Sequence, residues 1–172
     1  MIQINLIKTF LITLAIYLGL NAIFLVITIF LVPALPLDDI YYVISTLFAP
    51  IITTPDIALR GFGFLHLAPD ILIALLSILI IIVPPFVAVI VGARLGDSGK
   101  ISFLSWFLTA IISCVVYLLL IIFAPGVSPT LGSMWPSLVS IYQLFGAILY
   151  FIVPGIINAF FYGCFSFLFS KE

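Results

Sequence analysis

The histidine and aspartates of one polar segment are the residues that could do chemistry. His66 lies four residues before Asp70 and ten after Asp56. A histidine with carboxylates could bind a divalent metal ion, or serve an interfacial enzyme that acts on lipid. Each aspartate, however, stands where it could begin a helix, and Pro69 interrupts the register that would align His66 with Asp70. We expect no metal, no cofactor and no catalytic residue, and these three residues are the candidates that such an enzyme would use.

A second set of polar residues lies within long apolar runs. Asn21, Ser113 and Asn158 each fall roughly 16–20 Å from the predicted cytoplasmic end of their run, at 1.5 Å per residue. They could hydrogen-bond between helices or line a narrow pore, and we favour hydrogen bonds between helices. The runs contain no ionisable Asp, Glu, Lys, Arg or His, which is atypical of proton relays and ion-coupled pumps.

Small residues recur at four-residue spacing in two of these runs. Such residues let helix backbones approach closely in a lipid environment. They form two stripes: Gly155, Ala159 and Gly163, and Ala88, Gly92 and Gly96. The stripes predict two close helix contacts; we favour contacts within the chain, and contacts between chains are the alternative.

Prolines interrupt the same two runs. Pro84, Pro85 and Pro154 each remove a backbone hydrogen bond from a helix. Breaks of this kind can expose carbonyls to a solute, as in transporters with internal repeats. They are also common without that role, because neighbouring groups restore the lost bonds, and we favour that interpretation. The matching Ile-Val-Pro triplets that end at Pro84 and Pro154 form a short internal repeat that a duplication or chance could produce.

Composition places most side chains in lipid rather than water. The chain has 172 residues, of which 66% are hydrophobic and 6% charged, against roughly 25% charged in soluble domains. The net charge of −1 argues against a nucleic-acid partner. Four apolar runs are long enough to span a bilayer: residues 9–32, 71–93, 101–123 and 138–169. The sequence therefore predicts a single all-α integral membrane domain, residues 1–172, with four transmembrane helices arranged as two helical hairpins.

The connections between the runs differ in length and character. Residues 33–70 form a long loop, in which aspartates at 38 and 39 and the Thr54-Pro55 pair predict two short helix starts. The apolar face of the first predicts an amphipathic helix in the outer membrane interface. Residues 94–100 predict a tight turn, and residues 124–137 a second outer loop.

Orientation follows from the basic residues. Lys8, Arg94, Lys100 and Lys171 share one side of the predicted topology, and only Arg60 lies on the other. Because cytoplasmic loops carry the excess of Lys and Arg, we expect a multi-pass protein with both termini in the cytoplasm.

The sequence is compatible with three functions. The leading hypothesis is a non-catalytic accessory or scaffolding subunit of a larger membrane complex, because the chain has little water-facing mass. Its partners would be the lipid bilayer and other membrane subunits, or further copies of itself. The alternative is a small homo-oligomeric channel or carrier that uses the polar layer in transport. The second alternative is the interfacial lipid-modifying enzyme.

Overall fold

The structure, a computed structural model, describes residues 2–32 and 35–170. The predicted start of the outer loop at Pro33 and the contribution of Lys171 to the orientation lie outside the described residues. The described chain is helical and contains no strand. Its α-helices are α1 (Ile2–Leu31), α2 (Ile40–Phe48), α3 (Pro55–Gly63), α4 (Ile71–Leu95), α5 (Gly99–Phe123) and α6 (Met134–Phe169), with 3₁₀ turns at Ala49–Ile52 and Leu65–Leu67.

Four of these helices are long and apolar enough to cross a membrane. The candidate spans are Asn5–Leu31, Ile71–Leu95, Gly99–Phe123 and Met134–Phe169. The predicted all-helical class with four candidate membrane-spanning helices is confirmed to this extent. Side-chain caps fix two of the starts, because Asp70 accepts from the Ile73 N–H at 3.0 Å and Ser98 accepts from the Ile101 N–H at 3.3 Å.

Helix α6 is broken near its beginning. Gln143 has φ 60° and ψ 174°, a conformation that is essentially restricted to glycine. The break divides α6 into residues 134–142 and 144–169. The second piece is roughly 39 Å long at 1.5 Å per residue, so it alone exceeds the roughly 30 Å of a hydrocarbon core.

The glycines of the predicted stripes lie at close helix contacts within the chain. A Cβ added to Gly155 would lie 2.8 Å from the Cys114 Sγ, and one added to Gly163 would lie 2.9 Å from the Phe103 ring, both on α5. A Cβ on Gly92 would lie 2.6 Å from the Thr13 Oγ1 on α1. Ala88 and Ala159 are fully buried, and Gly96 lies against Ser102. The bundle thus forms from α5 packed on α6 and from α4 packed on α1.

The first long connection folds back into this bundle. Helix α2 with its 3₁₀ turn and helix α3 make an angle of 87° with each other. The turn Ala49–Ile52 contacts α4, α5 and α6. We call α2, this turn and α3 together the buried hairpin. The name refers to the turn, which is buried; much of α2 and α3 is exposed.

Candidate functional site

The buried hairpin owes its shape to two prolines. Pro50 has no N–H to donate to the Thr46 carbonyl, so α2 cannot continue regularly beyond this point. Pro55 occupies the first turn of α3, where a missing N–H costs nothing, after Thr54 in an extended conformation. Between them Ile51 is only 1% exposed and belongs to the core of the bundle. The hairpin therefore places non-α-helical backbone in the interior.

Two asparagines satisfy the carbonyls of this interior backbone. The Asn158 Nδ2 donates to the Ile51 carbonyl at 2.5 Å and to the Thr53 carbonyl at 3.1 Å. The Asn21 Nδ2 donates to the Leu47 carbonyl at 2.7 Å. Both side chains are at least 97% buried, with exposed fractions of 1% and 3%. Asn21 on α1 thus bonds the backbone just before the turn, and Asn158 on α6 bonds the turn and the residue that follows it.

The turn lies near half the depth of the bundle. Asn21 is ten residues before the end of α1 at Leu31, which is roughly 15 Å at 1.5 Å per residue. Asn158 is eleven residues before the end of α6 at Phe169, which is roughly 16 Å from the opposite end of the bundle. In lipid, non-helical backbone at such a depth occurs only where protein buries it or where it lines a cavity.

A cluster of aromatic residues supports the Asn158 side of the turn. The Trp106 indole donates from Nε1 to the Asn158 backbone carbonyl at 3.2 Å. Tyr17 and Tyr162 meet the Trp106 ring edge to face, at centroid distances of 5.8 and 5.9 Å. All three rings are almost completely buried. This packing fixes the position of Asn158 and hence of the turn.

Two adjacent prolines of α4 lie in the interior of the bundle, where the turn of the hairpin also lies. Pro84 and Pro85 are buried, and they leave the carbonyls of Ile80 and Ile81 without their helical donors. The Tyr162 hydroxyl donates to the Ile81 carbonyl at 3.3 Å and replaces one of the lost bonds. The Ile80 carbonyl has no donor at its usual helical position.

A cavity of about 250 Å³ lies between the buried hairpin and helices α1 and α4. We call it the hairpin cavity. Its wall runs along α1 from Thr28 to Asn21, seven residues or roughly 10 Å. Pro50, Ile80 and Ile81 form its deep end, and Leu35 lies at the other end, beyond the last residue of α1. The cavity therefore reaches from the end of the bundle at which α1 terminates to the turn of the hairpin.

The start of the hairpin is attached to the connection between α5 and α6 by Asp39. Its Oδ2 accepts from the Ser128 hydroxyl at 2.5 Å and from the Thr130 N–H at 3.1 Å, and its Oδ1 caps α2 at the Tyr42 N–H at 3.1 Å. Desolvation by burial alone would raise the Asp39 pKa, but these hydrogen bonds outweigh it and lower the pKa to about 2. Asp39 is thus an ionised group that joins these two connections.

The three predicted mid-membrane polar residues lie in the bundle interior, but two of them hold the hairpin. Asn21 and Asn158 both donate to backbone of the hairpin rather than to another spanning helix. Ser113 is fully buried, and its hydroxyl has no hydrogen-bond partner in the part of the chain that the structure describes. Sequence reasoning placed the polar residues at one depth, but it missed the hairpin that uses them.

The predicted outer-loop residues have structural partners. Asp70 caps α4, and Asp56 lies 3.7 Å from Arg60 on the exposed surface of α3. A hydrogen bond from Thr54, followed by the charge of Arg60, lowers the Asp56 pKa. His66 lies in the 3₁₀ turn Leu65–Leu67. Among residues 2–32 and 35–170, no group of three or more His, Cys, Asp or Glu could hold a metal ion.

Comparison of the chain with protein-family models, curated proteins and solved structures finds no match. The features that bear on function are therefore the hairpin and its cavity.

Proposed function

We propose that the chain is a multi-pass membrane protein with both termini in the cytoplasm and a hairpin that re-enters the bundle from the outer side. Four apolar helices support insertion. Asn5 at the start of α1 donates to Asp97, so the first helix and the turn between α4 and α5 share one end. Lys8, Arg94 and Lys100 are exposed at that end, as the positive-inside rule requires of a cytoplasmic face.

In this arrangement α2 and α3, which the sequence predicts as interfacial helices, are the parts of the hairpin that lie towards the outer side. Ile40 at the start of α2 and Leu59 in α3 are each 61% exposed, which suits contact with the membrane interface. The turn between these helices is buried among the spanning helices.

We infer that the protein is a carrier for a small uncharged solute. The observation that carries this proposal is the interior turn, with the hairpin cavity reaching it from outside. Discontinuous helices and exposed carbonyls near the bilayer midplane form the solute sites of many transporters. Here the interrupted elements are the buried hairpin and the proline break of α4, and both border the cavity.

A carrier suits the packing better than a permanently open pore. Trp106 and Tyr17 fill the centre of the bundle next to the turn, and Ile51 of the turn itself is also buried there. A solute that enters the cavity can pass farther only if the hairpin moves. Its turn is held there by the amides of Asn21 and Asn158, so these two residues would form the inner gate. A channel formed by several copies stays an alternative.

The accessory subunit is the second candidate. One observation favours it: Asn21 and Asn158, the polar residues that could serve solute, are engaged in holding the hairpin. In that case the hairpin would be a rigid part of the fold, and the outer surface would bind other membrane subunits. The lipid-modifying enzyme, with His66 as its base, stays an untested alternative.

The test is solute entry into proteoliposomes, measured by stopped-flow light scattering with glycerol and urea as probes. A carrier predicts uptake above that of protein-free liposomes, saturating as the solute concentration rises. Asn158→Leu should change this uptake because it releases the turn from α6. Ser113→Ala is the matched control, because its hydroxyl lies in the bundle interior without a partner.

Uptake equal to that of protein-free liposomes for both probes would contradict the carrier. Mild-detergent extraction from native membranes then decides the second candidate. Unrelated proteins recovered with the chain at fixed stoichiometry support the accessory subunit, and recovery of the chain alone or with its own copies contradicts it.

A further inference from the structure

We propose, as an extension that rests on the carrier function above, that the hairpin cavity binds a small uncharged molecule that is mostly apolar and carries one or two hydroxyl groups. The size of the cavity, its lack of charge and the polar groups of its wall support this ligand class.

The cavity is small. Its volume of about 250 Å³ falls just below the roughly 300–1,000 Å³ of pockets that bind drug-sized ligands. At roughly 30 Å³ per water molecule, it has room for about eight waters. The ligand is therefore smaller than a typical drug molecule and larger than a single ion.

The wall is uncharged. Within the described residues, its lining contains no Asp, Glu, Lys, Arg or His. A charged ligand at this depth would lose its hydration without gaining a counter-charge, which costs several kcal/mol even in relaxed proteins, by order of magnitude. The site therefore favours a neutral molecule.

The polar groups of the wall both accept and donate hydrogen bonds. The Thr28 hydroxyl donates to the Phe24 carbonyl at 2.8 Å, and the Thr46 hydroxyl donates to the Val43 carbonyl at 2.7 Å. Each hydroxyl has one donor and two lone pairs, so both keep acceptor capacity for a ligand. Tyr42 and Thr53 line the same wall, and their hydroxyls can donate as well as accept. A ligand with a hydroxyl group, which also donates and accepts, complements this wall.

The route of entry is from the outer side. Thr28 is three residues before the end of α1, and Leu35 follows in the outer connection. Thr46 lies deeper, in the last turn of α2 before the 3₁₀ turn. The two threonines therefore mark the entrance and the interior of one site.

The test uses three probes of similar shape with ¹⁹F NMR on the full chain in lipid nanodiscs. 4-Fluorophenol is neutral and has a donor, 4-fluorotoluene has none, and 4-fluorobenzoate is charged. Nanodiscs without protein give the partitioning background. We expect saturable, protein-dependent binding of 4-fluorophenol that is roughly fivefold or more tighter than that of 4-fluorotoluene, as one net hydrogen bond implies. 4-Fluorobenzoate should not bind.

Variants assign the binding to the cavity. Thr28→Val combined with Thr46→Val should reduce the preference for 4-fluorophenol, because two of the hydroxyls in the wall are lost, and leave 4-fluorotoluene binding unchanged. Thr109→Val is the matched control, because its buried hydroxyl makes the same kind of bond, to the Ser105 carbonyl, on α5. Leu25→Trp, which adds volume to the cavity wall, should abolish binding of both probes. The threonine variants preserve side-chain shape, so they decide the matter even if Leu25→Trp fails to fold.

Equal affinity for 4-fluorophenol and 4-fluorotoluene would overturn the proposal in favour of an apolar site filled by lipid chains. Binding of 4-fluorobenzoate, or a preference that the double threonine change leaves undiminished, would overturn it as well. The carrier function is tested by a separate experiment, so the two proposals can fail independently. Cavity binding without solute uptake in proteoliposomes contradicts the carrier alone, and uptake without cavity binding contradicts only this site.

Discussion

Replacing Asn158 with leucine should release the hairpin turn from α6. Asn158→Leu has similar bulk but removes two hydrogen bonds, and it leaves the Ile51 and Thr53 carbonyls buried without donors. Each hydrogen bond between membrane helices contributes roughly 0.6 kcal/mol on average, and an unsatisfied buried group costs roughly 1–3 kcal/mol. Because the turn can move to find other partners, we expect a loss of about 2 kcal/mol, or roughly a 30-fold rise in the open population.

Hydrogen exchange on the protein in nanodiscs measures this opening. The Thr53 N–H donates to the Pro50 carbonyl within the turn at 3.3 Å, so its protection reports the hairpin directly. We expect protection in the segment that contains Thr53 to fall roughly 30-fold in Asn158→Leu. The Ser102 N–H, bonded at the start of α5, should not change. Ser113→Ala should leave both unchanged. Equal protection at Thr53 in Asn158→Leu and wild type would refute the idea that this asparagine holds the turn.

Three further predictions concern the rest of the fold. Gly155→Ala should destabilise the protein by roughly 1–3 kcal/mol, because the new methyl would meet the Cys114 Sγ on α5. Gly19→Ala has open space, so it should be neutral or stabilising by up to roughly 1 kcal/mol; detergent unfolding of both variants gives the comparison. Gln143→Gly should raise stability in the same assay by roughly 1 kcal/mol, because it relieves a backbone conformation that suits glycine, and a loss of stability would contradict the break in α6. The folded pKa of Asp39, about 2, lies below its ordinary 3.8, so the unfolded state takes up a proton first and the Asp39 contacts weaken as the pH falls through that interval. The protection factor at the Thr130 N–H should therefore be constant above pH 4 and fall between pH 4 and 2, whereas a protection factor independent of pH would contradict the role of Asp39.

The spanning helices could be predicted because each is a long apolar run, and two of them also have a local start signal. Asp70 and Ser98 cap α4 and α5, and Thr54-Pro55 begins α3. These features depend on neighbours in the chain, so sequence alone carries them. Helix α1 extends beyond the apolar run that predicted it and begins at Ile2, because apolar residues continue the helix on either side of Lys8.

The buried hairpin could not be predicted in the same way. The apolar face of α2 suits a membrane surface and a protein interior equally well, so an amphipathic pattern does not separate them. What decides between them is a pair of contacts across long sequence separations, from Asn21 to Leu47 and from Asn158 to Ile51. The available signal was Pro50 within an apolar stretch, together with two isolated asparagines at similar depth in different helices. Only the tertiary arrangement shows that the side-chain amides of these two asparagines donate to the backbone carbonyls in and next to the turn.

The most direct test of the account is the depth of the hairpin turn. Single cysteines at Ile51, Ile52, Phe64 and His66, in a chain with Cys114 and Cys164 replaced by alanine, can be labelled in sealed vesicles with a maleimide that does not cross membranes. The account predicts that Phe64→Cys and His66→Cys react from the outer side only, whereas Ile51→Cys and Ile52→Cys react from neither side without detergent. Labelling of the turn as fast as His66→Cys would place the hairpin flat on the membrane surface and contradict the re-entrant arrangement.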